Sequence, residues 1–456
     1  MFDSAGGDWY RRPVNWSRAA FVICLCIGPV TACGGAEIKT ASPCLSDREC
    51  RLDRICHEGR CRFLADVESE RAALKVARDS GDAGAIADAA LAETKDGGGA
   101  GGGSAGTTTP AHAALTLPAM FMGDARHSGR SSAVGPAKLP TVLWRYATGA
   151  RVSASPVVAP DGTVYVGSHD RSLVALTPKG ALAWRYSARG KFYASAALTK
   201  DGSIVAASDD GVVHCIAPSG TLRWSTKVGA KADSSPLVAE DGTLYVTASG
   251  GITALTPEGG AKWTFAAPGH VRSAPAEHPA HFIVFGTANG DLIALEPSGA
   301  LRWRTPLGAN IDGGVSISHD GNLYAGTDAG ELVALDSAGA VRWRFKAGAD
   351  IRATPAITAE GLIVVGSYDS ILYAIRPAGT EAWRFQTSGR IRSSARIDGR
   401  GTIFVGSQDD FVYGVASDGR SLWQLNLGRD VDSSPAFGAD GTLYIGGDDG
   451  AVYALR

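Results

Sequence analysis

The sequence predicts an all-β fold: an eight-bladed β-propeller of four-stranded antiparallel blades, closed by an N-terminal strand and preceded by a small disulfide module and a flexible linker. Three observations carry that expectation. Eight of the ten tryptophans, Trp144, Trp184, Trp224, Trp263, Trp303, Trp343, Trp383 and Trp423, stand 40 residues apart, once 39. Asp-Gly pairs recur between apolar runs at Asp161, Asp201, Asp241, Asp320 and Asp440. The last unit ends without its tryptophan, while one tryptophan segment stands upstream with no unit before it.

Each unit repeats one grammar, shown by Val152 to Tyr186. It has a Ser-x-Ser-Pro start, an apolar strand, the turn Asp161-Gly162, a strand to Gly167, a polar turn at His169-Asp170, a strand Leu173 to Leu176, the turn Pro178-Lys179-Gly180, and a strand through Trp184. Asp-Gly between apolar runs signals a hairpin, because the turn requires positive φ. Four strands in about 40 residues make one propeller blade.

Units start near Arg151, Lys191, Lys231, His270, Asn310, Asp350 and Arg390, and an eighth starts at Asp430. That unit lacks an outer strand, which Thr141 to Ala147 can supply. Such a join hides sheet edges and ties the ring shut. Each tryptophan is expected to pack between neighbouring blades.

The grammar resembles the tryptophan-docking repeats of pyrroloquinoline-quinone-like propellers, over about residues 118–456. The lead-in Met122-Gly123-Asp124-Ala125-Arg126-His127-Ser128-Gly129-Arg130 looks like the entry segment of exported proteins with such repeats. In blade count, repeat type and anchor, the chain is similar to the propeller lipoproteins of outer-membrane β-barrel assembly. The resemblance also reaches quinone-dependent dehydrogenases. Their site implies calcium held by acidic and amide side chains, a catalytic aspartate and often a disulfide between adjacent cysteines. Here the repeats carry one cysteine, Cys215, and nearly every unit has minimal length, so a cofactor pocket has no loops to enclose it. A buried, inert Cys215 is expected.

Upstream, four segments are expected: 1–32, a lipoprotein signal peptide; 33–64, the lipidated start and a cysteine-rich module; 65–117, a helix-prone stretch and Gly-rich linker; and 118–456, the propeller. Arg11, Arg12 and Arg18 precede the apolar run Ala19 to Val30, too short to span a bilayer as a helix but suited to a signal peptide. Val30-Thr31-Ala32-Cys33-Gly34 resembles a lipobox, which implies lipidation of Cys33 and an address at the cell envelope, on the outer membrane or facing the periplasm or cell surface. Cys44, Cys50, Cys56 and Cys61 sit in a segment too small for its own core, and export favours disulfides. Three pairings are open. Gly102-Gly103-Ser104-Ala105-Gly106 matches a hydrolase nucleophile elbow in letters only, since low-complexity glycine supplies neither the strand nor the helix such an elbow needs.

With 45% hydrophobic and 20% charged residues and a net charge of −2, the chain has no basic field for nucleic acid. No triad, Walker or HExxH signature appears, so the expectation is no catalytic residue, no metal and no cofactor. His278-Pro279-Ala280-His281 reads as a loop irregularity without a third metal ligand.

The candidate site comes from aligning the loops that enter the inner strands. Just ahead of each repeated small pair stand Ser153, Tyr193, Asp233, Arg272, Asp312, Arg352, Arg392 and Asp432. In a propeller these positions converge on one mouth of the central channel. There the charges either read a polar group or satisfy one another. The functional expectation is a monomeric, non-catalytic envelope lipoprotein that binds or scaffolds proteins or glycans; the alternative is a dehydrogenase-like enzyme using pyrroloquinoline quinone. Cys33→Ser is expected to abolish metabolic labelling with palmitate and to release the protein from the membrane fraction; unchanged labelling refutes the anchor.

Overall fold

A β-strand sandwiched between two neighbours has no solvent face, so its residues read as a continuous apolar run rather than an alternation. The second and third strands of the repeats behave this way. Val164–Gly167 and Ser172–Leu176 are buried at every position, and the equivalents elsewhere in the ring are buried except at the start of some third strands and at the bend of the joined strand in blade 3. The outermost strands alternate instead: Leu182–Ser187 exposes every other side chain and turns Trp184 and Tyr186 inward. The computed structural model describes residues 54–57, 60–63 and 119–456.

Within 119–456 the chain forms eight antiparallel sheets. Blade 1 comprises Val157–Val158, Val164–Gly167, Ser172–Leu176 and Leu182–Ser187, in that order from the channel outward. Six further blades repeat it with four separate strands. In blade 3 the second and third strands run together as Leu244–Leu255, passing through Gly250 and Gly251, both at positive φ. That is where the repeat is one residue short.

The eighth blade is assembled from both chain ends. Ala436–Phe437, Leu443–Gly446 and Ala451–Leu455 are completed by Val142–Ala147, with Arg145 opposite Tyr453 and Tyr146 opposite Val452. Thr141 and Arg456 exchange backbone hydrogen bonds of 2.7 and 3.0 Å beside it. The expected closure is therefore present, and it leaves no blade without its outer strand.

Neighbouring blades are joined by one repeated contact. Each tryptophan donates its indole N–H to the carbonyl of Pro or Ser in a turn of the next blade, at 2.8–3.0 Å around the whole ring. A glycine follows in that turn because the ring lies flat upon it. At Gly339 a Cβ would sit 2.7 Å from the Trp303 ring, and φ is +81°. At the seam the turn is interrupted by the chain ends, and Trp423 takes the Pro136 carbonyl instead.

The lead-in has a structural task that the repeat pattern does not announce. It crosses the channel on the face opposite the mouth. The carbonyls of Ala119, Ala125, Arg126, Ser128 and Gly129 accept the backbone N–H of Leu198, Glu277, Ile317, Ile357 and Ile397 at 2.7–2.9 Å. These donors lie on the innermost strands, whose free edges would otherwise face the channel.

Upstream, Arg54–His57 pairs antiparallel with Arg60–Phe63, with Cys56 opposite Cys61 in the backbone register. The expected signal peptide, Cys33, Cys44 and Cys50 lie outside the described residues, and Cys56 and Cys61 are described in their backbone alone.

Trp423 is 5% exposed and secures the closing interface. Trp423→Ala is expected to cost about 3–5 kcal/mol in denaturant unfolding, whereas Trp423→Phe keeps most of the packing and costs about 1 kcal/mol for the lost hydrogen bond. Equal destabilisation by both would contradict the docking role.

Candidate functional site: the channel mouth

All eight entry-loop residues reach one place. Ser153, Tyr193, Asp233, Arg272, Asp312, Arg352, Arg392 and Asp432 line a single cavity of about 410 Å³ at the centre of the ring. Phe121 of the lead-in also lines this cup. Beneath, His127 is buried against Phe121 with ring centroids 5.4 Å apart and its Nδ1 3.1 Å from the Val315 carbonyl. Burial holds the His127 pKa down to about 4, although Asp124 and the Val315 carbonyl pull the other way.

Charges at the mouth pair around the rim, between neighbouring blades, rather than across it. Arg352 grips Asp328 through two hydrogen bonds of 2.9 and 3.0 Å and lies 3.8 Å from Asp312. Arg272 bridges Asp233 and Asp312, both at 3.6 Å. The deeply buried Asp432 takes Arg392 at 3.2 Å, Gln408 at 2.9 Å and Arg151 at 3.6 Å. Tyr193 carries no charge and packs on His169 with centroids 4.2 Å apart. Burial, with Arg151, Lys191 and Arg392 nearby, lowers the His169 pKa to about 4. Burial and the carboxylate of Asp432 raise Asp430 and Asp448, so blade 8 forms an acidic arc.

Two further sets share the mouth that the entry-loop alignment does not pick out. Arg151 and Lys231 lie two residues ahead of entry positions and line the same cup. Their spacing of two puts them on the same side of an extended segment, which is the signal available in the sequence. His169, Asp209, Asp328, Tyr368, Gln408 and Asp448 form the second set, at the turn between second and third strands. The neighbouring position serves a different purpose: Asp170, Asp369 and Asp409 cap backbone N–H groups of Gly149, Gly348 and Ser388 at 2.7–2.8 Å. The two registers stand one residue apart in the turn, so Asp328 and Asp369 are not equivalent.

Cys215 is buried in a blade wall, and burial pushes its thiol pKa up. His278 stacks on Phe282 at 4.1 Å with its Nε2 3.1 Å from the Gly321 carbonyl, while His281 turns to Glu277 at 3.1 Å, so the two rings do not converge.

A ring of blades locked by tryptophans, with a charged cup at one end of its channel, defines a tryptophan-docked propeller of the binding type or the quinone-enzyme type. The family described as outer membrane protein assembly factor BamB matches residues 137–200, 192–310 and 288–416, and the chain belongs to it. No curated protein matches the chain. Among solved structures, BamB from Moraxella catarrhalis is similar at 19% identity and a TM-score of 0.59, over 70% of this chain and 100% of that one. A europium-containing methanol dehydrogenase matches at 15% identity and a TM-score of 0.64, over 74% of this chain and 98% of that one. Quinohemoprotein alcohol dehydrogenase from Comamonas testosteroni matches at 15% and 0.63, over 74% and 80%. At these identities the likeness is one of fold.

The residues at the mouth do not fit a quinone held beside a metal. The carboxylates of Asp233, Asp312 and Asp432 are already bridged by arginines. Among the described residues, no three His, Cys, Asp or Glu side chains are disposed to hold a metal ion. The cup wall is a belt of hydroxyls with Tyr193 and His169 on one side, not a pair of flat apolar plates.

The buried His127 makes the fold sensitive to acid. Its folded pKa lies below the ordinary 6.5, so the unfolded chain takes up the proton first, and stability drains as pH falls from 6.5 toward 4. The loss attributable to this group is about 3 kcal/mol. His127→Phe is expected to flatten that part of the stability profile, measured by urea unfolding at stepped pH; an unchanged slope would exclude His127 as its source.

Proposed function

We propose that the chain is a lipid-anchored, non-catalytic propeller of the cell envelope that binds protein or glycan partners through the mouth face and acts as a scaffold. The carrying observation is the cup itself: the lead-in lines it through Phe121, and its carboxylates Asp233, Asp312 and Asp432 are engaged by arginines. Charge is thus presented to a partner at the rim rather than reserved for a reaction centre. Membership of a family described by outer-membrane protein assembly supports a protein partner at that membrane. Rim charges set encounter rate and specificity more than raw affinity, so binding through this face is salt-dependent.

A photo-crosslinker at Tyr193 is expected to capture one discrete envelope partner in cells, identified by mass spectrometry, with capture reduced at least about tenfold by the pair Arg272→Glu and Arg352→Glu. Capture only from positions on the outermost strands contradicts use of the mouth. The enzyme alternative makes the opposite forecast for purified protein: dye-linked alcohol oxidation after addition of pyrroloquinoline quinone and calcium. Reproducible turnover there would overturn the non-catalytic reading.

A further inference from the structure

Below the rim, the cup is ringed by hydroxyls whose hydrogen-bonding capacity is half used. Ser155 accepts the backbone N–H of Ser434, Ser195 that of Ser155, and Ser235 that of Ser195, at 3.0–3.2 Å. Thr354 accepts from Gly314, Ser394 from Thr354 and Ser434 from Ser394, at 2.8–2.9 Å. The belt breaks only in blades 4 and 5, where Ala274 and Gly314 occupy its position. A hydroxyl both accepts and donates. In all six, the oxygen accepts from the neighbouring blade, while no acceptor for the hydroxyl's own proton occurs among the described residues. All six line the cup.

The belt therefore offers donors to whatever fills the cup, and the rim adds more. Of the five cations that line the cavity, Arg151, Arg272, Arg352 and Arg392 are held in ion pairs, two of them also by Asp448 and Asp328 beside it, whereas Lys231 has no carboxylate within ion-pair distance among the described residues. Tyr193 against His169 supplies an aromatic wall on the Lys231 side of the ring. A donor-rich cavity of about 410 Å³, with the Lys231 cation outside every ion pair among the described residues, is larger than a lone inorganic ion requires and selects a ligand rich in acceptor oxygens.

We infer that the cup binds a monosaccharide-sized polyoxygenated anion, a carboxylated or phosphorylated sugar, with its body against the hydroxyl belt and its charge toward Lys231. This rests on the mouth-face reading above and narrows the ligand class. Desolvated hydroxyls that find acceptors strengthen binding, and a neutral sugar forfeits the charge contribution of Lys231.

Calorimetric titration of the folded full chain with glucuronate, glucose 6-phosphate, glucose and inorganic phosphate tests it. At least one of the two anionic sugars is expected to saturate the protein at one site. Glucose and inorganic phosphate should each bind at least about tenfold more weakly. Lys231→Glu, an exposed position outside the hydroxyl belt, should weaken the anionic sugar at least about tenfold without altering the circular dichroism. Thr354→Val should weaken it too, and Thr354→Ser should retain it. Absence of saturation by both anionic sugars, glucose or phosphate binding as tightly, or indifference to Lys231→Glu each overturns the inference. Partner capture at Tyr193 that survives any of these results leaves the scaffold reading standing, so the two fail separately.

Discussion

A tryptophan indole has one N–H, and burying it without an acceptor costs more than its hydrogen bond returns. The ring is organised around that demand. Every blade presents a carbonyl in a tight turn to the tryptophan of the blade before it, so no blade is complete without its neighbour. The constraint explains the regular spacing, the glycine behind seven of the eight docking carbonyls and the use of Pro136 at the seam. It also explains why the middle strands tolerate so uniformly apolar a composition: each is covered on both faces by sheets held at a fixed separation.

The cup follows from the same geometry. Eight entry loops converge because eight blades close, and their side chains meet at distances set by the ring rather than by any local motif. Arginine and aspartate at neighbouring entry positions then neutralise one another along the rim, as Arg272 does with Asp233 and Asp312. What departs from this balance is local: Lys231 has no carboxylate within ion-pair distance among the described residues, and Asp430, Asp432 and Asp448 crowd together around Arg151 and Arg392 on another side. A near-symmetric scaffold thus acquires a polar axis from a handful of substitutions.

Much of this was readable in the chain. The tryptophan period, the Asp-Gly turns and the orphan Trp144 segment together specify eight blades and their closure, because each is a local signal repeated in register. Entry residues such as Tyr193 and Arg352 were readable as well, since the repeat fixes where an inner strand begins. The lead-in plug was not. Its carbonyls meet Ile317, Ile357 and Ile397 through backbone bonds that leave no mark on side-chain pattern. The second register at the mouth was hidden for another reason: Asp328 and Asp369 look equivalent in a turn, yet a shift of one residue sends the first to Arg352 and the second to the Gly348 backbone. The hydroxyl belt lay in plain view as Ser-x-Ser-Pro, but its continuity depends on contacts between blades.

The seam has a consequence for assembly. Arg145 and Tyr453 touch although 308 positions separate them, and the strand that carries Arg145 is made before any blade exists to receive it. A chain synthesised from its N-terminus must keep Val142–Ala147 unpaired, with an open edge, until the final blade emerges. Contacts of such long range make the last step slow and leave that edge free to pair wrongly meanwhile. The device that locks the finished disc is thus also its longest period of vulnerability to aggregation.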